Sequence, residues 1–294
     1  MALALSADEQ CIIFSRLCNP LEPRVAIYFS GASHGLWAPT QALRQQLRAD
    51  YHAAAALCCK VGMRSCKELR EAISVYWSDT RLSAAELTTL GKLGSVLPAL
   101  EELRFFERSA SADCVQQLAA GLGAGALPAV TVLMLTGTRV GDLGAPALAA
   151  ALGRGALPRL EILVLNNCGI GDAGLMALAP ALRRLPALKR LALIGNPVGD
   201  EGLGALVAPL PPAGALSPPT EGLTKLKELF LSRTQITDAG CAALASALGR
   251  SVLPALKLLD LSGIAASAAA KAAVRLKCVE MCGAVMVPSA TRRM

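Results

Sequence analysis

Histidine is almost absent from this chain. There are two among 294 residues, His34 and His52, and both precede the region where the sequence becomes regular. Ser-His-Asp and Cys-His mechanisms need a histidine beside the nucleophile. Most of the chain therefore has no such base, and no catalytic residue is assigned. Aromatic residues are also scarce, at 3%. With few β-branched residues besides, this argues against a β-sandwich or barrel. It also removes the stacking platforms on which single-stranded nucleic acids are held.

Long apolar runs are missing as well. Mean hydropathy is +0.47, yet no stretch of about 18 residues runs free of charge, proline or glycine. The start, MALALSADEQ, has no basic segment, and its apolar run stops at Asp8 and Glu9. Neither a signal peptide nor a membrane span is read, and an intracellular, cytoplasmic protein is expected. The net charge is +7. It is spread along the chain, with short clusters only in ALRRLPALKRL and TRRM. A nucleic-acid partner is not expected from that distribution.

Metal and phosphate motifs are lacking too. The ten cysteines are Cys11, Cys18, Cys58, Cys59, Cys66, Cys114, Cys168, Cys241, Cys278 and Cys282. None forms the C-x-x-C spacing of a zinc site, although Cys58, Cys59 and Cys66 lie near His52. Without a secretory signal they read as reduced thiols packing like small hydrophobes. No G-x-x-x-x-G-K-[ST] loop occurs. GLGAGALP and GRGALP recur between repeats, where glycine ends a helix. No cofactor and no metal are expected.

What the chain does have is leucine, alanine and a repeat. LPALEELRFF begins at Leu97, LPAVTVLMLT at Leu127, LPRLEILVLN at Leu157, LPALKRLALI at Leu185, LTKLKELFLS at Leu223 and LPALKLLDLS at Leu253. Successive starts lie 28 or 30 residues apart, except for one gap of 38. A degenerate unit, 67–96, precedes them. In residues 157–184 the first half alternates through Leu163 and Leu165, as a strand does. The second half places Leu175, Leu178 and Leu182 at helical spacing. Gly171-Asp172 sits where that helix should start, with Asp172 as its N-cap or first-turn acid. Gly141-Asp142, Gly199-Asp200 and Thr237-Asp238 hold the same place in other units.

One strand and one helix cannot bury both apolar faces alone, but stacking does. The pattern L-x-x-L-x-L-x-x-C-x-I from Leu160 resembles the leucine-rich repeat, specifically the ribonuclease-inhibitor-like class. That class includes the repeat regions of NOD-like receptors and Ran GTPase-activating proteins. The resemblance implies an α/β solenoid: a curved parallel sheet on the concave face and helices on the convex face. Three regions are expected. Residues 1–66 form a mainly helical N-terminal cap, with a helix over 39–62 and a short strand in PRVAIYFS (23–30). Residues 67–278 hold about seven units, with a Pro-rich insertion at 207–222. Residues 279–294 form a C-terminal tail.

The resemblance also implies which residues face a partner. Counting from Leu160, positions three, five and seven of each unit point out of the concave face, and position eight leans toward it. The partner-binding candidates are Tyr76, Trp77, Arg104, Phe106, Met134, Val164, Asn166, Ile194, Phe230 and Arg233. Many are apolar, and an exposed apolar strip rimmed by charge marks an interaction site. Position nine closes the turn after the strand, where backbone groups lose their sheet partners. Ser78, Thr138, Cys168, Asn196 and Thr234 form that structural ladder, and the Cys168 thiol is expected to be buried and inert. The expected function is non-catalytic binding of a protein partner. The alternative is regulation of an enzyme, as a GTPase-activating protein or an inhibitor, for which Arg108, Arg139 and Arg233 stand near strand-to-helix loops.

Overall fold

The structure is a computed structural model that describes residues 6–32, 34–106, 112–208, 223–283 and 285–286. The chain opens with helices α1 (Ala7–Leu17), α2 (Arg24–Gly31), α3 (His34–Trp37), α4 (Gln41–Lys60) and α5 (Cys66–Glu71). Strand and helix then alternate: β1 (Ser74–Ser78), α6 (Ala84–Leu93), β2 (Glu102–Phe106), α7 (Ala112–Gly121), β3 (Val132–Thr136), α8 (Gly141–Gly153), β4 (Ile162–Val164) and α9 (Asp172–Leu182). The series closes with β5 (Arg190–Ala192), α10 (Asp200–Leu206), β6 (Glu228–Phe230), α11 (Asp238–Gly249), β7 (Leu258–Asp260), α12 (Ala268–Cys282) and β8 (Val285–Met286). The strands form one parallel sheet in chain order, β1 to β8. It is an α/β leucine-rich-repeat solenoid.

The leucine columns explain the stacking. Leu163, Leu191, Leu229 and Leu259 are register neighbours on successive strands and are fully buried. Leu165, Leu193 and Leu231 form a second buried column two residues on. Burying each such side chain is worth about 1.5–3 kcal/mol, and each unit covers its neighbour's leucines. A single core therefore runs the length of the sheet.

The N-terminal region is helical, and PRVAIYFS is part of it. This corrects the expected strand. Its buried residues, Ala26 and Ser30, are one helical turn apart, so the small residues carry the packed face and the β-branched ones do not. Phe14, Ala26 and Leu47 form a small separate cluster. The region is tied to the repeats by Lys60–Glu86 at 2.6 Å and by Arg70–Glu22. At the other end, α12 runs past residue 279, where the tail was expected to begin, and β8 adds a last strand beside β7. The Pro-rich insertion lies outside the described residues from 209 to 222.

Candidate functional site

Sheet register decides which side chains share the concave face. From β2 onward it matches the expected columns: Arg104, Met134, Val164, Ala192, Phe230 and Asp260 are aligned across six strands. In the first unit the register differs by two residues. Ser74 pairs with Glu102, Tyr76 with Arg104 and Ser78 with Phe106. Val75 is thus 28 residues before Leu103, where a 30-residue unit had been expected.

That shift corrects two assignments. Trp77 stands at a leucine position beside Phe105 and is 3% exposed, its ring edge-on to the Phe105 ring at 5.2 Å. It is a core residue and cannot touch a partner. Ser78 lies on β1 and is exposed; Thr80 takes the ladder position of this unit. A shift of two leaves the facing parity intact, so Tyr76 still points out and is 61% exposed.

Val164 needs a different correction. It has the right parity but is 5% exposed. Its strand neighbours are Met134 and Ala192, and a short side chain on a concave surface is shaded by longer ones around it. Val132, Ala192, Ser232 and Asp260 are buried on the same face for the same reason. Arg104, Phe106, Met134, Asn166, Ile194 and Phe230 are half-buried, and Arg233 is exposed. The apolar strip is therefore interrupted in its middle and open mainly at β1–β3.

There the side chains converge. The rings of Tyr76 and Phe106 lie 5.3 Å apart, tilted by 40°. They wall an open groove of about 720 Å³ together with Ser78, Asp79, Thr136, Gly137, Arg139 and Asn167. Arg104 is held by Glu102 at 2.8 Å. Farther along, Arg190 is held by Glu228 at 2.6 Å and its guanidinium lies 6.0 Å from the Phe230 ring centre. The groove thus offers aromatic faces, hydroxyl, amide and guanidinium donors, the Asp79 carboxylate as an acceptor, and no histidine. Sequence reasoning did not pick out Arg139 for this surface. Its signal was a position two residues past the Gly137 turn, where the chain rises from the strand.

Position eight has its own backbone requirement. Asp79, Gly137, Asn167, Gly195, Arg233 and Gly263 all have φ between 51° and 76°. Glycine and asparagine tolerate this region and arginine does so less readily. It turns Asn167 outward at the groove rim and Arg233 outward two units farther along, and both are exposed.

Below the face lies the ladder. Asn196 is 1% exposed. Its Oδ1 accepts from the backbone N–H of Cys168 and of Ile170, and its Nδ2 donates to the carbonyls of Leu165 and Leu193. Thr138 and Thr234 donate to Leu135 and Leu231. The Cys168 thiol donates to the Leu135 carbonyl. It is 1% exposed, and burial pushes its pKa up to about 11, so it has little thiolate at neutral pH. Asn166 differs from these: its Oδ1 accepts from Ile194 N–H at the edge of the concave face.

A second ladder was missed. The aspartate at the start of each of α8 to α11 caps the helix of the following repeat. Asp142 Oδ1 accepts from Gly171 and Gly174 N–H, Asp172 Oδ1 from Gly199 and Gly202 N–H, and Asp200 Oδ1 from Thr237 and Gly240 N–H. Asp238 accepts from Ser267 N–H. Gly199, the N-cap of α10, has no side chain of its own to offer. The D-x-G spacing follows, because a Cβ on Gly174 or Gly202 would lie 2.5 or 2.6 Å from the aspartate oxygen.

Of the arginines considered for an enzyme-regulating role, Arg139 and Arg233 are exposed on the concave rim. Arg108 lies outside the described residues. Among the described residues no helix is long and apolar enough to cross a membrane.

Comparison with known proteins agrees on the repeat. Residues 157–179, 185–207 and 222–245 match the family model described as Leucine Rich repeat. No curated protein matches. Among solved structures, an internalin from Listeria monocytogenes is similar at 13% identity, over 83% of this chain and 96% of that one, with a TM-score of 0.28. The segments 157–179, 185–207 and 222–245 are thus leucine-rich repeats by sequence.

Proposed function

We propose that this chain is a non-catalytic protein-binding module, and that the partner docks on the concave face at β1–β4. The observation that carries this reading is the open groove walled by Tyr76 and Phe106. An exposed tyrosine and a half-buried phenylalanine beside an arginine are of the residue types that dominate binding energy at protein interfaces. The unit length of 28–30 residues and a helix in every unit favour the ribonuclease-inhibitor-like class of repeat. Residues 6–66 then serve as the cap of the solenoid's open end, since they cover the first repeat and close its core.

The test is affinity capture with the intact chain. The double variant Tyr76→Ala/Phe106→Ala should lose its captured partner by about tenfold or more, as for hot-spot aromatics. Trp77 is no substitute for this test, because its loss would damage the core. If the double variant and a further Met134→Ala/Phe230→Ala pair both retain every partner, the concave face is not the binding surface.

A second reading is regulation of an enzyme. Arg139 on the groove rim favours it, since an exposed arginine can stabilise charge in a partner's active site. A GTP-turnover assay on candidate small GTPases separates the two readings. Stimulation abolished by Arg139→Ala supports the second, and unchanged turnover supports the first.

A further inference from the structure

The charged residues at the strand starts are sorted along the solenoid. The residue just before each strand occupies one column, because its N–H bonds to the carbonyl of its counterpart in the preceding unit. The chain of bonds runs from Glu101 through Thr131, Glu161, Lys189 and Lys227 to Lys257. The first half of this column is acidic or neutral and the second half is all lysine. Neighbouring strands lie about 4.8 Å apart, well inside the screening length of about 8 Å at physiological salt. Like charges stacked this way oppose the fold.

Of the three lysines, the carboxylates nearby relieve Lys189 alone. Glu161 is held by Lys189 at 2.6 Å and Glu228 by Arg190 at 2.6 Å. Lys227 and Lys257 are exposed and have no ion pair among the described residues, and so are Lys225 and Arg159 on the same rim. This local excess of unpaired positive charge contrasts with the paired Arg104–Glu102 of the acidic half.

We propose that this rim, at the starts of β5–β7, binds an acidic segment of the protein partner. The proposal rests on the protein-binding reading and adds a second contact to it. An acidic peptide fits better than a nucleic acid. Glu161 and Glu228 neutralise Lys189 and Arg190, so the cations left over are too few and too interrupted to match a backbone charged at every unit. A peptide can set carboxylates opposite Lys227 and Lys257 and neutral residues opposite the glutamates. The rim also lacks a free aromatic face for base stacking, since Phe230 is half-buried and Arg190 lies over its ring.

The experiment is fluorescence anisotropy of a labelled polyglutamate peptide with the full chain. The triple reversal K225E/K227E/K257E should weaken binding by about tenfold or more, as for charge pairs across an interface. The control R24E/R48E/R64E changes net charge equally on exposed residues of the cap, and should change binding by less than about twofold. Equal loss in the two triples would mean that net charge alone attracts the peptide, which overturns the proposal. So would tighter, rim-dependent binding of a DNA duplex or of phosphatidylserine vesicles. Tighter rim-dependent binding to a second copy, seen as a salt-sensitive dimer by light scattering, would overturn it too. If the triple reversal does not fold, K227Q/K257Q carries the same test with a smaller expected loss. Peptide binding by Tyr76→Ala/Phe106→Ala should be unchanged, so failure at the groove and failure at the rim are read separately.

Discussion

The two halves of this molecule close their helix ends differently. In the N-terminal half three helices, α1, α5 and α6, are capped by their own residues. Ser6 pairs with Glu9 at α1, Ser65 accepts from Glu68 at α5, and Ser83 pairs with Glu86 at α6. From α9 onward the preceding repeat adds a cap, through Asp142, Asp172, Asp200 and Asp238, beside the local caps of Thr237 at α11 and Ser267 at α12. A local cap stabilises a helix whether or not its neighbours are folded. A cap supplied by the neighbour is made only when the two repeats are stacked. The second half should therefore unfold as a coupled block, because the interface term between repeats is large there. In the first half the caps of α1, α5 and α6 do not depend on a neighbouring repeat, and the groove lies on that side.

The largest expected effect falls on the ladder. Asn196→Ala would orphan the N–H groups of Cys168 and Ile170 and remove the donor to Leu165 and Leu193. Each unsatisfied buried group costs about 1–3 kcal/mol, so a loss of roughly 3–5 kcal/mol is expected. Urea unfolding monitored by circular dichroism measures it. A loss below about 1 kcal/mol would mean that the side chain does not couple the repeats.

Next come the caps, which test the contrast directly. Asp172→Ala leaves the buried N–H groups of Gly199 and Gly202 without an acceptor, and should cost about 2–4 kcal/mol. Ser83→Ala removes a local cap and should cost about 1 kcal/mol. Hydrogen exchange should show the first change raising exchange in both α9 and α10. The second should raise it in α6 alone. If Asp172→Ala frays only one helix, the coupled block does not exist.

Acid should act on both halves with the same sign. Asp238 is held below its ordinary pKa by the hydrogen bonds from Ser267. Burial pushes Glu86 up, but hydrogen bonds from Lys60 and Ser83 outweigh it and leave its pKa lowered. A carboxylate depressed in the folded state contributes stability that is present above its unfolded pKa. That contribution is lost as pH falls through the folded value. Stability should thus fall below about pH 4.5, the ordinary range for these groups. Asp238→Asn should flatten part of that decline in a thermal melt series across pH 5 to pH 2.5, a window of roughly that range.

How much of this was legible in the sequence varies with the regularity of the unit. The leucine columns and strand parity from β2 onward followed from period two and a repeat of 28 or 30 residues. SVYWS carries no leucine, so its register was set by an assumed unit length, and Trp77 and Ser78 were misplaced by two residues. Parity was readable for Val164, but its shading depends on the sizes of neighbours on other strands, which no local window contains. The aspartates were seen at the helix starts, yet capping rules describe a helix and its own flanks. The hint was the glycine two residues on, since glycine costs a helix about 1 kcal/mol against alanine. Gly174, Gly202 and Gly240 make sense only if something must approach there. The groove was partly legible through Tyr76 and Phe106. Arg139 was not assigned to it, because it joins the surface through the backbone turn at Gly137.

The mildest probe of the contrast leaves the sequence unchanged and uses the thiols. Cys168 and Cys241 are each 1% exposed and sit in different repeats of the coupled half. Burial pushes the Cys168 pKa up to about 11 and raises that of Cys241 as well. Both should react with a thiol reagent only when the structure opens. If the aspartate and asparagine ladders bind these repeats into one unit, the two cysteines must open together and label at the same rate. Cys58, buried on α4 outside the repeats joined by the aspartates, is free to open separately and should label faster. Cys59, already exposed, should react first of all and marks the intrinsic rate. Mass spectrometry of digested samples at successive times resolves the sites. Unequal rates at Cys168 and Cys241 would show that the repeats fray one by one. The caps between repeats would then be contacts without cooperativity, and the difference between the two halves would reduce to which atoms make the cap.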